Sequence, residues 1–284
     1  IPNNTGFKEQ WANVGSTANK GIELGLTSYL IDTKDFNLSA NFNIGKNSLT
    51  ITKLDGTLER FDRSNWASTD LRNINDFQLK VGEKIGNFYG FVADGYYLPS
   101  DFESYNAVTD KYTLKADVPN ASATVGNTNI RPGFMKLKDL TGDGIINDDD
   151  RKVIGNALPD FQGGIGINMR YKGFDLSAFA NFQVGNEVYN TGKIQFNQYR
   201  RVSNGNLLTT MKLDNRFTYL DIDGSYTGTP GGIVTDLAQL EQLNTGKTMW
   251  SHASFGVAGA VVSDWAIEDG SFIRLNNVTL GYNL

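Results

Sequence analysis

The 284-residue chain contains no cysteine. That excludes disulfides, thiolate metal sites and a cysteine nucleophile. Histidine is almost as scarce: His252, in MWSHASFG, is the only one. Multi-histidine metal sites and Cys–His dyads are therefore impossible. A Ser–His–Asp triad would have to use His252, and no G-x-S-x-G elbow accompanies it. A lone histidine in a loop near Trp250 reads as a surface residue, not a base. Proline is held to 6 residues while glycine reaches 31, a mix that favours extended segments joined by turns over long helices. No run of 18 apolar residues occurs, so no transmembrane helix is expected. The opening IPNNTGFKEQW, polar from its third residue, reads as no signal peptide. A basic surplus is lacking too: net charge is −5, with lysine and arginine scattered, which leaves no footprint for DNA or RNA.

What is present is folded β material. Hydrophobic residues make up 39% and charged residues 20%, which is not the composition of a disordered chain. The length allows one large β domain or two ordinary ones. Several segments alternate with period two, the pattern of a strand with one greasy face. In FNLSANFNIGKN, Phe36, Leu38, Ala40, Phe42 and Ile44 oppose Asn37, Ser39, Asn41 and Asn43. In GIELGLTSYLI, Ile22, Leu24, Leu26 and Leu30 share a face, with Ser28 the exception. The tight turn DTKD joins the two into a hairpin. A second hairpin pairs GIGINMRY (Ile165, Ile167, Met169 and Tyr171 on one side) with FDLSAFANFQVG (Phe174, Leu176, Ala178, Ala180, Phe182 and Val184) through the turn KG. Near the end, NNVTLGYNL sets Val278, Leu280, Tyr282 and Leu284 against Asn277, Thr279, Gly281 and Asn283.

Such strands suit either a soluble sandwich, which buries the apolar face, or a membrane barrel, which turns it to lipid and its amide-rich face to a wet lumen. Runs of about ten residues match a tilted membrane strand, and the apolar faces carry no charge. The loops are lopsided as well. Tight turns at Thr33–Asp35 and Lys172–Gly173 close one end, while connections of about 49–162 and 186–270 cross the other. Short turns at one rim and long loops at the opposite rim is the outer-membrane barrel arrangement. The expected fold is thus all-β, part of a large antiparallel transmembrane β-barrel with long extracellular loops. Because residues 36–45 run outward and 163–171 inward, an even number of spans separates them. It is either none or two built from QLKVGEKI and NFYGFVADG, so residues 76–95 are left open.

DLTGDGIINDDDRKVIG crowds Asp139, Asp143, Asp148, Asp149 and Asp150 together. Counted from Asp139 as position 1, Thr141, Asp143, Ile145, Asn147 and Asp150 fall at positions 3, 5, 7, 9 and 12, with Gly144 at the bend. That is the spacing of an EF-hand calcium loop. Asp139, Thr141, Asp143, Ile145, Asn147 and Asp150 are therefore candidate ligands of a structural calcium. The competing reading is an acidic, solvated turn, because no helix enters the loop. No residue is nominated for catalysis or substrate binding. GGIGIN begins an alternating strand and opens no helix, so it fails as a nucleotide loop, and paired carboxylates are cheap in a chain with 31 acidic residues. The chain is expected not to be an enzyme. The aromatics Phe88, Tyr89, Phe91, Tyr96 and Tyr97, with Trp250 and Trp265, suggest an interfacial girdle or loop packing, or else a platform for sugar rings or a lid protein.

Four stretches carry a family resemblance: NTGFKEQWANVGSTANKGIELGL near the start, VGEKIGNFYGFVADGYY (81–97), the run from DLTGDGIINDDD to FQVGNEVYN (139–190), and EDGSFIRLNNVTLGYNL (268–284). In this order they resemble the SusC/RagA family of TonB-dependent outer-membrane transporters. The resemblance implies a barrel of about 22 strands around a plug, a SusD-like surface lipoprotein that lids it, oligosaccharide or peptide cargo, and energy delivered by TonB through the plug. Residues 1–284 match the C-terminal barrel portion, with no plug segment and without the last strands, a piece expected to transport nothing alone. The alternative reading is a soluble extracellular β-domain that binds glycans and uses a structural calcium loop.

Overall fold

Period-two alternation becomes five long strands. The computed structural model describes residues 15–64, 74–126, 129–197, 206–251 and 261–283. Within it, β1 (Ser16–Asp32), β2 (Phe36–Lys53), β3 (Phe161–Tyr171), β4 (Phe174–Val184) and β5 (Phe272–Tyr282) form one antiparallel sheet in chain order. Register makes its two faces chemically distinct. Leu26, Phe42, Ile165, Ala180 and Leu275 align across the sheet, as do Ile31, Leu38, Met169, Leu176 and Leu280. The intervening rows are polar: Gly25, Asn43, Gly164, Asn181 and Arg274 in one, Tyr29, Ser39, Asn168, Ser177 and Thr279 in another. At a rise of about 3.3 Å per residue, the apolar belt from the Phe36 row to the Ile44 row is on the order of 25 Å tall, the height of an outer-membrane apolar band.

The turns close this sheet at one end. Thr33 donates its N–H and its hydroxyl to the Phe36 carbonyl at 2.9 and 2.8 Å, and the Asn37 amide reaches Asp32 at 2.6 Å. Lys172 takes φ +52°, which the second tight turn requires. Its N–H donates to the Asp35 carbonyl at 2.8 Å, so the two hairpin ends are tied together. Along this rim Phe36, Tyr171, Phe174 and Tyr282 occupy one register row. Their rings pair at 6.1 Å (Phe36–Tyr171) and 4.6 Å (Phe174–Tyr282). This is the aromatic row expected where lipid meets water.

Two expectations change in detail, and one open alternative closes. Leu30 does not continue the Ile22–Leu24–Leu26 face: a bulge between Tyr29 and Ile31 sets Ile31 opposite Leu38, so Ile31 carries the belt on. Strand β2 runs past residue 49 to Lys53. Residues 76–95 add no span, because β2 bonds directly to β3. Phe77–Lys80 and Asn87–Gly90 instead lie, with Glu59–Asp62 and Lys152–Asn156, in a separate four-stranded sheet.

Beyond the belt, the described residues of 54–160 and 185–271 build a folded body. It is rooted on the wall: the Ile51 and Ile85 N–H groups donate to the Glu83 and Leu49 carbonyls, each at 3.0 Å. Above β4 and β5, Glu187–Tyr189 pairs with Ile267–Asp269. One hydrophobic core joins the two excursions. Tyr97, Phe134, Met135, Leu137 and Ile146 from the first pack with Met211, Phe217, Val234, Leu240 and Trp250 from the second. Tyrosine hydroxyls cross-link them: Tyr96 donates to the Lys247 carbonyl at 3.0 Å and Tyr112 to the Thr235 carbonyl at 2.9 Å.

Candidate functional site

The polar face of the wall is the first candidate. Asn and Gln side chains stand where glycines clear space for them. A Cβ on Gly166 would lie 2.3 Å from the Asn41 amide oxygen, and one on Gly164 would lie 2.9 Å from the Phe179 ring. The Asn41 amide and the Phe179 ring therefore lie flat over bare backbone, which a larger residue would forbid. Toward the long-loop end, Glu23, Asn43, Asn47, Gln162, Asn181 and Gln183 surround a shallow hollow of about 500 Å³. Amides donate and accept hydrogen bonds without titrating, so this lining, in which Glu23 is the titratable group, can hold polar solutes.

The apolar face behaves as its pattern requires. Ile22 is 79% exposed, Leu280 71% and Ile273 70%. Phe36, Leu38, Phe42, Phe174, Leu176 and Phe182 lie in the same continuous belt and are absent from the buried core. Among the described residues no second sheet covers them, so the sandwich reading lacks its defining contact.

The aspartate loop is brought together, as a turn that closes on itself. Asp139 accepts the Gly142 N–H at 2.6 Å on one oxygen and the Gly144 N–H at 2.8 Å on the other, and Thr141 adds its hydroxyl at 3.1 Å. Gly142 and Gly144 have φ of +76° and +82°, which glycine adopts without strain. Asp150, fully buried, accepts the Leu140 N–H at 2.8 Å, the Thr141 N–H and hydroxyl at 3.1 Å, and the Asn147 N–H at 2.9 Å. Asp143 takes the Ile145 N–H at 2.8 Å, and the Asn147 side-chain oxygen takes the Asp149 N–H at 2.7 Å. The Gly144 N–H above all, then that of Gly142, holds the Asp139 carboxyl below its ordinary range. Both oxygens of Asp139 and of Asp150 thus accept hydrogen bonds from within the loop. Among the described residues no group of three or more His, Cys, Asp or Glu side chains is placed to hold a metal ion.

The loop is also fixed from outside. Ile145 bridges to Asn120, the Ile146 side chain is buried in the shared core, and Thr124 donates to the Ile146 carbonyl at 2.8 Å. Arg151, one residue past Asp150, lies over the Tyr89 ring at 4.6 Å and donates to the Asn75 and Tyr89 carbonyls. Burial pushes its guanidinium below its usual value. The sequence reading missed a second turn of this kind. Asp221, buried, accepts the Tyr226 and Thr227 N–H groups at 3.0 and 2.7 Å and the Gly224 N–H at 3.1 Å. The run DIDG was its available signal.

The clustered aromatics resolve as loop packing. Phe88, Phe91, Tyr97 and Trp250 are buried, and Trp250 meets Trp265 edge-on at 4.6 Å. The row at the membrane boundary is the Phe36–Tyr282 one instead. His252 lies outside the described residues.

No family model matches the chain. It is similar over its whole length to TonB-dependent receptor P3 of Formosa agariphila, at 28% identity and 23% of that protein's length. To TonB-dependent receptor SusC of Bacteroides thetaiotaomicron it is 25% identical, again along the entire chain and 22% of the relative. Among solved structures, the RagAB peptide transporter superposes with a TM-score of 0.60 at 18% identity, covering 99% of this chain and 24% of that one. The chain spans about a quarter of the length of these relatives. These relatives are receptors and transporters, not enzymes. The likeness to SusC/RagA-type TonB-dependent receptors holds in sequence along the whole chain and, in the fold, as an antiparallel barrel portion.

Proposed function

We propose that this chain forms a stretch of wall and part of the outer mouth of an outer-membrane, TonB-dependent importer. In this reading the apolar belt faces hydrocarbon and the amide face lines the route taken by cargo. The outer edges of β1 and β5 pair with further strands, since lipid tolerates no open sheet edge. The long excursions lie on the extracellular side, where a SusD-like lipoprotein docks, and TonB acts through a plug inside the bore. Cargo is a neutral polar oligomer, an oligosaccharide or a peptide. The latter is what the RagAB transporter carries by its name.

One observation carries this reading: a continuous apolar face with nothing described packed on it, back to back with rows of asparagine and serine. Because the chain has no cysteine, single cysteines report each face cleanly. In the membrane-embedded protein, Phe42→Cys and Ile167→Cys are expected to resist a water-soluble maleimide, and Asn41→Cys and Asn168→Cys to react through the bore. Equal reactivity of neighbouring positions would remove the wall. Release of the protein as a monodisperse species without detergent would do the same.

A further inference from the structure

The belt ends abruptly at its long-loop rim, where a pair of lysines takes over from the aliphatic side chains. In the β1–β2 register Leu24 pairs with Ile44, Ile22 with Lys46, and Lys20 with Ser48. Alternation places Lys20 and Lys46 on the lipid side, directly above Ile22 and Ile44. They are diagonal neighbours, a relation that puts such positions about 7 Å apart. Along the lipid side of the five strands they are the charged side chains, and no carboxylate stands with them. Both are exposed, and neither makes an ion pair among the described residues.

Two ammonium groups this close repel each other, and more strongly beside hydrocarbon than in bulk water. An anion between them relieves that repulsion. Ser48, opposite Lys20, adds a hydroxyl donor on the same face. Ile22 and Leu24, exposed beneath, offer a surface for acyl chains. Resting on the wall reading above, we propose that Lys20, Lys46 and Ser48 clasp the phosphate of an anionic lipid in the leaflet on the long-loop side, with its tails lying on Ile22 and Leu24. The opposite rim is built differently: there Lys172 lies over the Tyr171 ring at 5.3 Å, and its N–H donates to the Asp35 carbonyl at 2.8 Å.

The test uses the whole barrel protein in detergent and measures retention of phosphatidic acid, phosphatidylcholine and inorganic phosphate by native mass spectrometry. Phosphatidic acid is expected to be retained in preference to phosphatidylcholine. The double variant K20Q/K46Q should weaken it roughly thirtyfold, from the usual contribution of a lysine near an anionic surface. K20R/K46R should preserve retention, and K34Q/K172Q, at the other rim, should leave it unchanged. If the double variant does not fold, K46Q alone, expected at about fivefold, carries the same test. Equal retention of both lipids, or no effect of K20Q/K46Q, overturns the site while leaving the wall intact. Binding of inorganic phosphate as tight as that of phosphatidic acid overturns the lipid as its source. Failure of the wall reading looks different: the protein then stays monodisperse without detergent and retains neither lipid.

Discussion

The wall and the loop body are made of one chain by opposite rules. In the wall, pairing is sequential, strands reach 18 residues, and the large apolar side chains point away from the protein. In the loop body, strands span 2 to 5 residues, and apolar side chains point inward to a core drawn from both excursions. The wall therefore borrows its apolar solvent from the membrane, whereas the body must manufacture its own. That contrast explains why one region can be two-faced while the other packs like an ordinary soluble domain.

The largest effect should come from the body's core. Phe217 is fully buried, and its ring fills the space left by Gly133, where a Cβ would lie 2.2 Å away. Phe217→Ala is expected to destabilise the body by about 3–5 kcal/mol. Because the core is shared, hydrogen exchange should quicken in residues 96–137 of the first excursion while peptides of β4 keep their protection. Unchanged exchange in 96–137 would show that the excursions fold separately. The converse experiment strikes the wall. Ile167 sits in the middle row of the belt, between Ala40 and Ala178, and Asn168 is its lumenal neighbour. Ile167→Arg should cost about 2–4 kcal/mol in bilayer-embedded protein, as lipid-facing arginine does at mid-depth. Asn168→Arg should be close to neutral by the same urea titration. Equal costs would erase the distinction between the faces.

Cross-links give a smaller effect. The Tyr112 hydroxyl donates to the Thr235 carbonyl at 2.9 Å from a largely buried site. Tyr112→Phe keeps the ring but strands that acceptor, an expected loss of about 1–3 kcal/mol. Thermal unfolding of the body reads it. The wall should not respond, and a loss that spread equally into both regions would argue against two separately built parts.

The same contrast governs what could be read in advance. Hairpins β1–β2 and β3–β4 were legible because alternation is local and the turns DTKD and KG are short. The Leu30 bulge was not, since only the partner strand shows that Ile31, not Leu30, faces Leu38. Lys20 and Lys46 each lay one alternation step beyond where the greasy pattern was followed, and continuing the count would have found them. The body was nearly opaque. Phe77–Lys80 and Asn87–Gly90 are four-residue strands whose partners include Lys152–Asn156, some 70 positions away in the chain for the Asn87 and Asn156 pair. Period-two patterns cannot announce pairings of that range. The aspartate spacing did predict that Asp139 through Asp150 would meet. What it could not convey is that N–H groups, at Leu140, Gly142, Gly144 and Asn147, would hydrogen-bond the Asp139 and Asp150 carboxylates.

The smallest effect is one of pH, and it sharpens the contrast because only the body should show it. The Asp139 carboxyl is held below its ordinary range chiefly by the Gly144 N–H. A carboxyl lowered by folding stabilises the fold fully above its unfolded value of about 3.9. That contribution is lost as pH falls through the lower folded value, because protonation removes the acceptor the turn is built on. From neutrality down to about pH 4 the turn should therefore hold, and below that residues 139–150 should loosen first. Exchange of the peptide spanning 139–150, referenced to a β4 peptide to remove the intrinsic pH dependence, measures this directly. Asp139→Asn should start looser and lose the acid step. If the step persists in that variant, the acid-sensitive group lies elsewhere, with Asp110, whose carboxyl the Arg131 guanidinium also holds low, the next to substitute.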